Sequence, residues 1–295
     1  MKRFSALLAA FLLIFTLPFA VRAEETETPH YSLPIDFSPG MPVDQRYYIS
    51  DLVYEDPTLK VAITTGDQNG VLYWIADIEI QDPSQLRTVA AEGFDSSGSD
   101  YGTVLAKRVN AVLAVDGDYY CYSRGVPLTI RQGYTFKNAL RRSTGHDILL
   151  IDDNGDFHCL ENPSDKTVNN LLKSHKIINA FYFGPVLVKD GKISDSKAHS
   201  LNLTQFSQRV AIAQTGHLKY RVIVTGPHKR GSKAFKFEDW RKFVASMDDI
   251  QNAYNLDGGD SAVLVFNNKK INDPENNNER PLADIIYFAS AWPGD

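Results

Sequence analysis

The chain has 295 residues, of which 43% are hydrophobic, 11% aromatic and 23% charged, with a formal net charge of −5. That balance is ordinary for a globular protein and excludes wholesale disorder. An acidic chain is also a poor partner for nucleic acid or an anionic membrane surface.

The first element in chain order is apolar. Lys2 and Arg3 precede an apolar stretch from Phe4 to Val21, and Val21-Arg22-Ala23 closes it. Cationic, apolar and small-residue segments in that order read as a signal peptide over residues 1–23, which predicts a secreted or cell-surface protein. The competing reading is an uncleaved membrane anchor, since the stretch approaches bilayer-spanning length. Cleavage would remove three cations and move the formal charge from −5 to −8. Residues 24–46 are acidic and Pro-rich with no apolar period, and read as a linker or loosely ordered lead-in. One folded domain is expected over 47–295.

Strands dominate that domain. VLYWIADIEI (71–80) is β-branched and aromatic and follows a GDQNG turn. Residues 147–160 read as a hairpin about Asp153-Asn154-Gly155, and 209–226 as two strands about Thr215-Gly216-His217. Further strands are expected in 181–193, in 261–273 with a turn at Asn267-Asn268, and in 283–289. The best helix is 237–250, where Trp240, Phe243, Val244 and Met247 share one face. Glu238 and Asp239 lie in its first turn, where the helix dipole favours anions. Weaker helices are expected near 100–109 and 165–176. Strands with interspersed helices, without strict alternation, predict an α+β fold: a mixed, largely antiparallel sheet with a few flanking helices.

The familiar chemical signatures are missing. There is no GxxxxGK[ST], no HExxH and no GxSxG. The seven histidines form no close-spaced cluster, and the two cysteines lack histidines at ligand spacing, so neither a metal nor a cofactor is expected. Cys121 and Cys159 either pair in an oxidising compartment or stay free. DDNGD at 152–156 faintly echoes a calcium loop, but no later glutamate completes one, so it reads as a turn.

Four segments share another design, an apolar strand running into glycine and polar residues. They are AVLAVDGDYYCYSRG (111–125), NAFYFGPVLVKDG (179–191), QRVAIAQ (208–214) and AYNLDGGDSAVLVFNN (253–268). Strand ends hold side chains in fixed directions, and glycine lets a ligand approach the backbone. A hairpin turn is the plain alternative, since DG and GD are ordinary turn pairs.

These segments, in this order, together with IRQG (130–133), the Trp240 helix and the tail ERPLADIIYF, resemble the phosphodiester glycosidase family and its bacterial exopolysaccharide biosynthesis members. The likeness runs from about Val104 to the end of the chain. It implies hydrolysis of a sugar 1-phosphodiester at the glycosidic bond, with a carbohydrate or sugar-phosphate as the partner. On that basis Asp257 is the first catalytic candidate, as acid/base or sugar-hydroxyl ligand, and Asp118 the second. The Gly258 and Gly259 amides and Arg209 are expected on the phosphate. Asn255 is expected to orient the sugar or Asp257, and Arg280 to support the site. Asp116, Tyr119 and Ser261 complete the substrate-binding set.

Three positions depart from the family pattern. Asp116-Gly117 stands where relatives read NG, and Thr225-Gly226-Pro227 where they read DGR. Gly259-Asp260-Ser261-Ala262-Val263 stands in the GGGSST region. New carboxylates at 116 and 260 would repel a phosphodiester or favour a cation. They keep a second reading open, in which the chain is a catalytically impaired relative that binds carbohydrate or cell wall.

Overall fold

The computed structural model describes residues 29–94, 97–118, 127–140, 145–196, 204–228, 233–272 and 279–294. The expected signal segment and Cys121 lie outside them. The α+β, sheet-dominated class holds, but there are three sheets rather than one, of nine, five and five strands. Their described pairings are antiparallel.

Alternation explains the large sheet. In Val71–Ile80, Ala76, Ile78 and Ile80 point inward while the residues between them are more exposed. The strand pairs along its full length with Leu59–Gln68 on one side and with Lys219–Thr225 on the other. Lys219–Thr225 returns from Val210–Gly216, and the turn at His217-Leu218 places Leu218 at positive φ. Asn252–Asn255 lies beyond Val210–Gly216 and pairs with it from Ala211 to Gln214.

The inward faces of all three sheets share one core. Val61, Ile78, Val210, Ile212, Val222 and Tyr254 come from the large sheet. Leu113, Val115, Leu264 and Ile286 come from the sheet built on Ala111–Asp116, and Leu149, Ile151 and Phe181 from the sheet built on Ile148–Asp152. Cys159 is buried in this core as a free thiol.

Each sheet carries one helix on its outer face. Gly102–Arg108 buries Leu105 and Ala106 against Ala114, Val265 and Ile285. Asp165–Ser174 starts at Ser164, whose hydroxyl accepts from the Thr167 amide, and buries Val168 against Ile148 and Leu150. Phe237–Ala245 lays Phe237, Trp240 and Val244 over Ala211, Ala213 and Ala253, whose small side chains leave room for the indole. This helix is shorter than the expected 237–250. Ser246 caps it by donating its hydroxyl to the Phe243 carbonyl, and Asp249 at positive φ cannot continue it.

Residues 29–46, read in the sequence as a linker or lead-in, lie along the outside of the sheet that contains Leu86–Ala90. Arg87 is fully buried there, and its guanidinium donates to the carbonyls of Pro34, Asp36 and Ser38 at 2.8–3.0 Å. The Gly40 and Met41 amides bond the carbonyls of Val109 and Ser290. Leu33 is buried beside Leu105. A buried arginine needs acceptors, and this irregular segment supplies them because its carbonyls are not used by a ladder.

Candidate functional site at the meeting of three strand ends

Ala111–Asp116, Leu128–Arg131 and Asn252–Asn255 belong to three different sheets, and their C-terminal ends converge. The connections after them bring Asp116, Asp118, Arg131 and Asp257 together. Asp284, at the start of Asp284–Ala289, joins from the strand paired with Ala111–Asp116.

Arg131 is the hub. It is wholly buried, and its Nη2 lies 3.3 Å from both Asp118 Oδ2 and Asp284 Oδ2. Its Nη1 donates to the carbonyls of Ile130 and Ala180, and its guanidinium carbon sits 4.4 Å from the centre of the Phe181 ring. Asp118 also accepts from the Tyr182 amide at 2.9 Å. Asp284 Oδ1 accepts from the Asp118 amide at 3.0 Å. Gly117 is required for this: a Cβ there would meet Asp284 Oδ1 at 2.4 Å.

Asp116 and Asp257 have different surroundings. Asp116 is 1% exposed and accepts one bond, from the Val263 amide to Oδ1 at 3.1 Å. Its Oδ2 has no hydrogen-bond partner among the described residues. Burial raises its pKa well above the ordinary carboxylate range, and the charges of Asp257 and Asp284 raise it further. The same burial biases Asp116 toward its protonated form. Asp257, partly exposed, is pushed up to about 6 by burial and by Asp118, against the opposing pull of the Ser261 hydroxyl, the Gly258 amide and Arg280.

The turn after Asp257 corrects two expectations. The Gly258 amide donates to Asp257 Oδ1 at 2.8 Å, and the Gly259 amide to the Gln208 carbonyl at 3.0 Å. Both are engaged within the protein rather than presented to a phosphate. Gly258 is glycine because its chain passes Gln208 closely, where a Cβ would meet the carbonyl oxygen at 2.5 Å. Ser261, expected on the substrate, is 2% exposed and holds Asp257 through its hydroxyl.

Asn255 is buried and bonded within the protein. It is 2% exposed, its Nδ2 donates to the carbonyls of Gly184 and Leu256, and its Oδ1 accepts from the Trp240 indole at 2.9 Å. These bonds fix the chain directly before Asp257. Arg209 is on the helix side of the large sheet. Its Nη2 donates to the Gln205 carbonyl, and its guanidinium lies 5.7 Å from the Phe237 ring centre. Arg280 is near enough for its charge to act on Asp257. Tyr119 lies outside the described residues.

The carboxylates of Asp116, Asp118, Asp257 and Asp260 do not form a group whose ligand atoms all lie within 4.8 Å of one another. Arg131 and Asp284 escaped the sequence reading. Their signals are an arginine ending an apolar strand and an aspartate opening one, both inside the family-like segments IRQG and ERPLADIIYF.

The chain is similar to several known proteins. A family model described as phosphodiester glycosidase matches residues 109–289, more than half of the chain. The uncharacterized SPbeta prophage-derived protein YomE of Bacillus subtilis strain 168 is 23% identical over 273 residues, covering 85% of this chain and 40% of that protein. The chain therefore spans less than half the length of that curated relative. Among solved structures, the fold resembles the catalytic domain of zebrafish N-acetylglucosamine-1-phosphodiester alpha-N-acetylglucosaminidase, auto-inhibited by its pro-peptide. The TM-score is 0.63 at 16% identity, covering 91% of this chain and 99% of that one. A hypothetical protein from Synechocystis aligns with a TM-score of 0.54 at 12% identity, covering 81% of this chain and 64% of that one.

Proposed function

From the premise that the chain belongs to the phosphodiester glycosidase family, we propose that it hydrolyses the glycosidic bond of sugar 1-phosphodiesters in cell-surface or extracellular polysaccharide, after export by its N-terminal signal segment. The observation that carries this reading is Asp257, a partly exposed carboxyl pushed up to about 6 at the end of a rigid strand. A group with that pKa changes protonation close to working pH, as a general acid or base must.

The leaving group selects between the two roles. A phosphomonoester departs as a stable anion and needs little help from an acid. Water needs a base. Asp257 in its ionised form accepts the proton of the attacking water, held by Ser261 and the Gly258 amide and drawn toward ionisation by Arg280. Burial biases Asp116 beside it toward the protonated form, in which it adds no negative charge against the phosphodiester. The departure from the family's asparagine is thus smaller than its formal charge suggests, since a neutral carboxyl can donate a hydrogen bond as an amide does. Asp118, paired with Arg131, positions the floor of the site instead of acting on substrate.

The test is incubation of the purified protein with a panel of sugar 1-phosphodiesters, with released sugar measured. Turnover that disappears in Asp257→Asn supports the reading, and undiminished turnover in that variant sinks it. The second reading, a carbohydrate-binding relative without turnover, is favoured by the Gly258 and Gly259 amides, which are committed inside the turn. Measurable glycan binding with no hydrolysis on any member of the panel would select it.

A further inference from the structure

The edge hairpin of the sheet built on Ile148–Asp152, and the helix on the outer face of that sheet, bring together three side chains with no part in the proposed hydrolysis. Asp152 ends Ile148–Asp152, His158 lies in the returning strand Phe157–Leu160, and His175 caps the C-terminus of Asp165–Ser174. Their ligand atoms all lie within 4.8 Å of one another. We propose that this Asp-His-His cluster binds a late first-row divalent metal ion of the zinc class.

The carboxylate is already set for the task. Asp152 is 3% exposed, and its Oδ1 accepts from the amides of Asn154 and Asp156 at 2.9 and 3.0 Å. That leaves Oδ2 facing His158 Nε2 at 2.9 Å. Bound at about 2.0–2.2 Å in tetrahedral geometry, zinc sets its ligand atoms roughly 3.3 Å apart. The Asp152–His158 pair therefore needs to open by only a few tenths of an ångström. His175 Nδ1 shares a hydrogen bond with the Ser174 hydroxyl at 2.8 Å, which leaves Nε2 as the ligand nitrogen and supplies an outer partner to orient the ring. Its ring lies 4.7 Å from that of His158, and its side chain is exposed, so it can turn to close the third bond.

The donor set decides the class of ion. Two imidazoles and one carboxylate suit zinc, nickel or copper, whereas calcium and magnesium take oxygen ligands. Surrounding charge is mixed. Asp153 and Asp156 add negative charge nearby, while Lys176 lies 3.9 Å from Asp153 and His217 lies 3.8 Å from Asp156. Three protein ligands leave a fourth position to water. A bound ion would tie the 152–158 hairpin more firmly to the end of the helix, two elements already joined here by ring contact, by the Lys176–Asp153 ion pair and by the bond from the Asp153 amide to the Lys176 carbonyl.

The test uses purified, chelator-treated protein without a histidine tag, titrated with zinc by calorimetry and with cobalt by visible absorption. One ion per chain is expected, with the intense visible band of a tetrahedral cobalt site. His175→Ala, at an exposed position, is expected to keep the fold and lose about tenfold or more in affinity. His158→Gln serves as the second variant. Absence of stoichiometric binding, or unchanged affinity in both variants, would overturn the proposal.

Discussion

Asp118 and Asp284, and Asp116 and Asp257, are two pairs of carboxylates in the same small volume with opposite chemistry. The first pair shares the Arg131 guanidinium at 3.3 Å, so burial and charge are reconciled and the group becomes a scaffold. For the second pair the cation acting on it among the described residues is Arg280, on Asp257. Burial pushes the Asp116 pKa well up, and that of Asp257 up to about 6. Burial alone does not make a catalytic carboxyl; burial with incomplete compensation does. Removing Arg131 should erase the distinction by leaving the first pair buried and uncompensated.

The largest effects should follow from breaking each pair at its centre. Asp257→Asn is expected to lower kcat by about 10²–10⁴, the usual worth of a positioned general base. In the parent protein kcat/KM should rise with pH through about 6, because the ionised form is the active one. The variant should show no such limb, and an inflection that survives in it would assign the titration to another group. Arg131→Ala should cost about 3–5 kcal/mol of stability by leaving buried carboxylates unpaired. Urea denaturation measures this, and a loss within experimental error would mean that the ion pairs contribute little.

A middle effect tests how Asp257 is held. Asn255→Ala should cost about 1–3 kcal/mol, since it strands the Trp240 indole and the Gly184 and Leu256 carbonyls. It should also lower kcat with little change in KM, as expected of a residue that acts through Asp257. A raised KM with kcat unchanged would instead assign Asn255 to the sugar, the other role expected from sequence.

Much of this was legible before the fold was known. The 71–80 strand, the 147–160 hairpin and the Trp240 helix follow from periodicity and turn residues, and two of the DG-rich strand ends, at Asp116 and Asp257, meet in one neighbourhood. What sequence could not supply was the partner of each carboxylate. Arg131 lies 153 residues from Asp284 along the chain, and only the packing of three sheets makes them neighbours. For the same reason the glycines after Asp257 looked like phosphate donors, because the carbonyl of Gln208 that occupies one of them arrives from another strand. His158 and His175 were scattered in sequence until a hairpin and a helix end met.

The smallest effect, and the sharpest test of the contrast between the pairs, is expected for Asp116→Asn. If Asp116 is already neutral, the amide replaces it with nearly the same shape and charge, so turnover at neutral pH should change little. The stability difference has a definite sign. Below the unfolded carboxylate pKa of about 4, Asp116 is protonated in both states and contributes no pH dependence. As pH rises above it, the unfolded chain ionises while the folded protein keeps the proton, so the parent loses stability that the variant does not. The two should therefore converge near pH 4, with the variant the more stable by a margin that widens as pH rises until the folded Asp116 itself ionises. A variant that is less stable at pH 7 than at pH 4, relative to the parent, would mean that Asp116 is ionised in the folded protein and belongs with Asp118 after all.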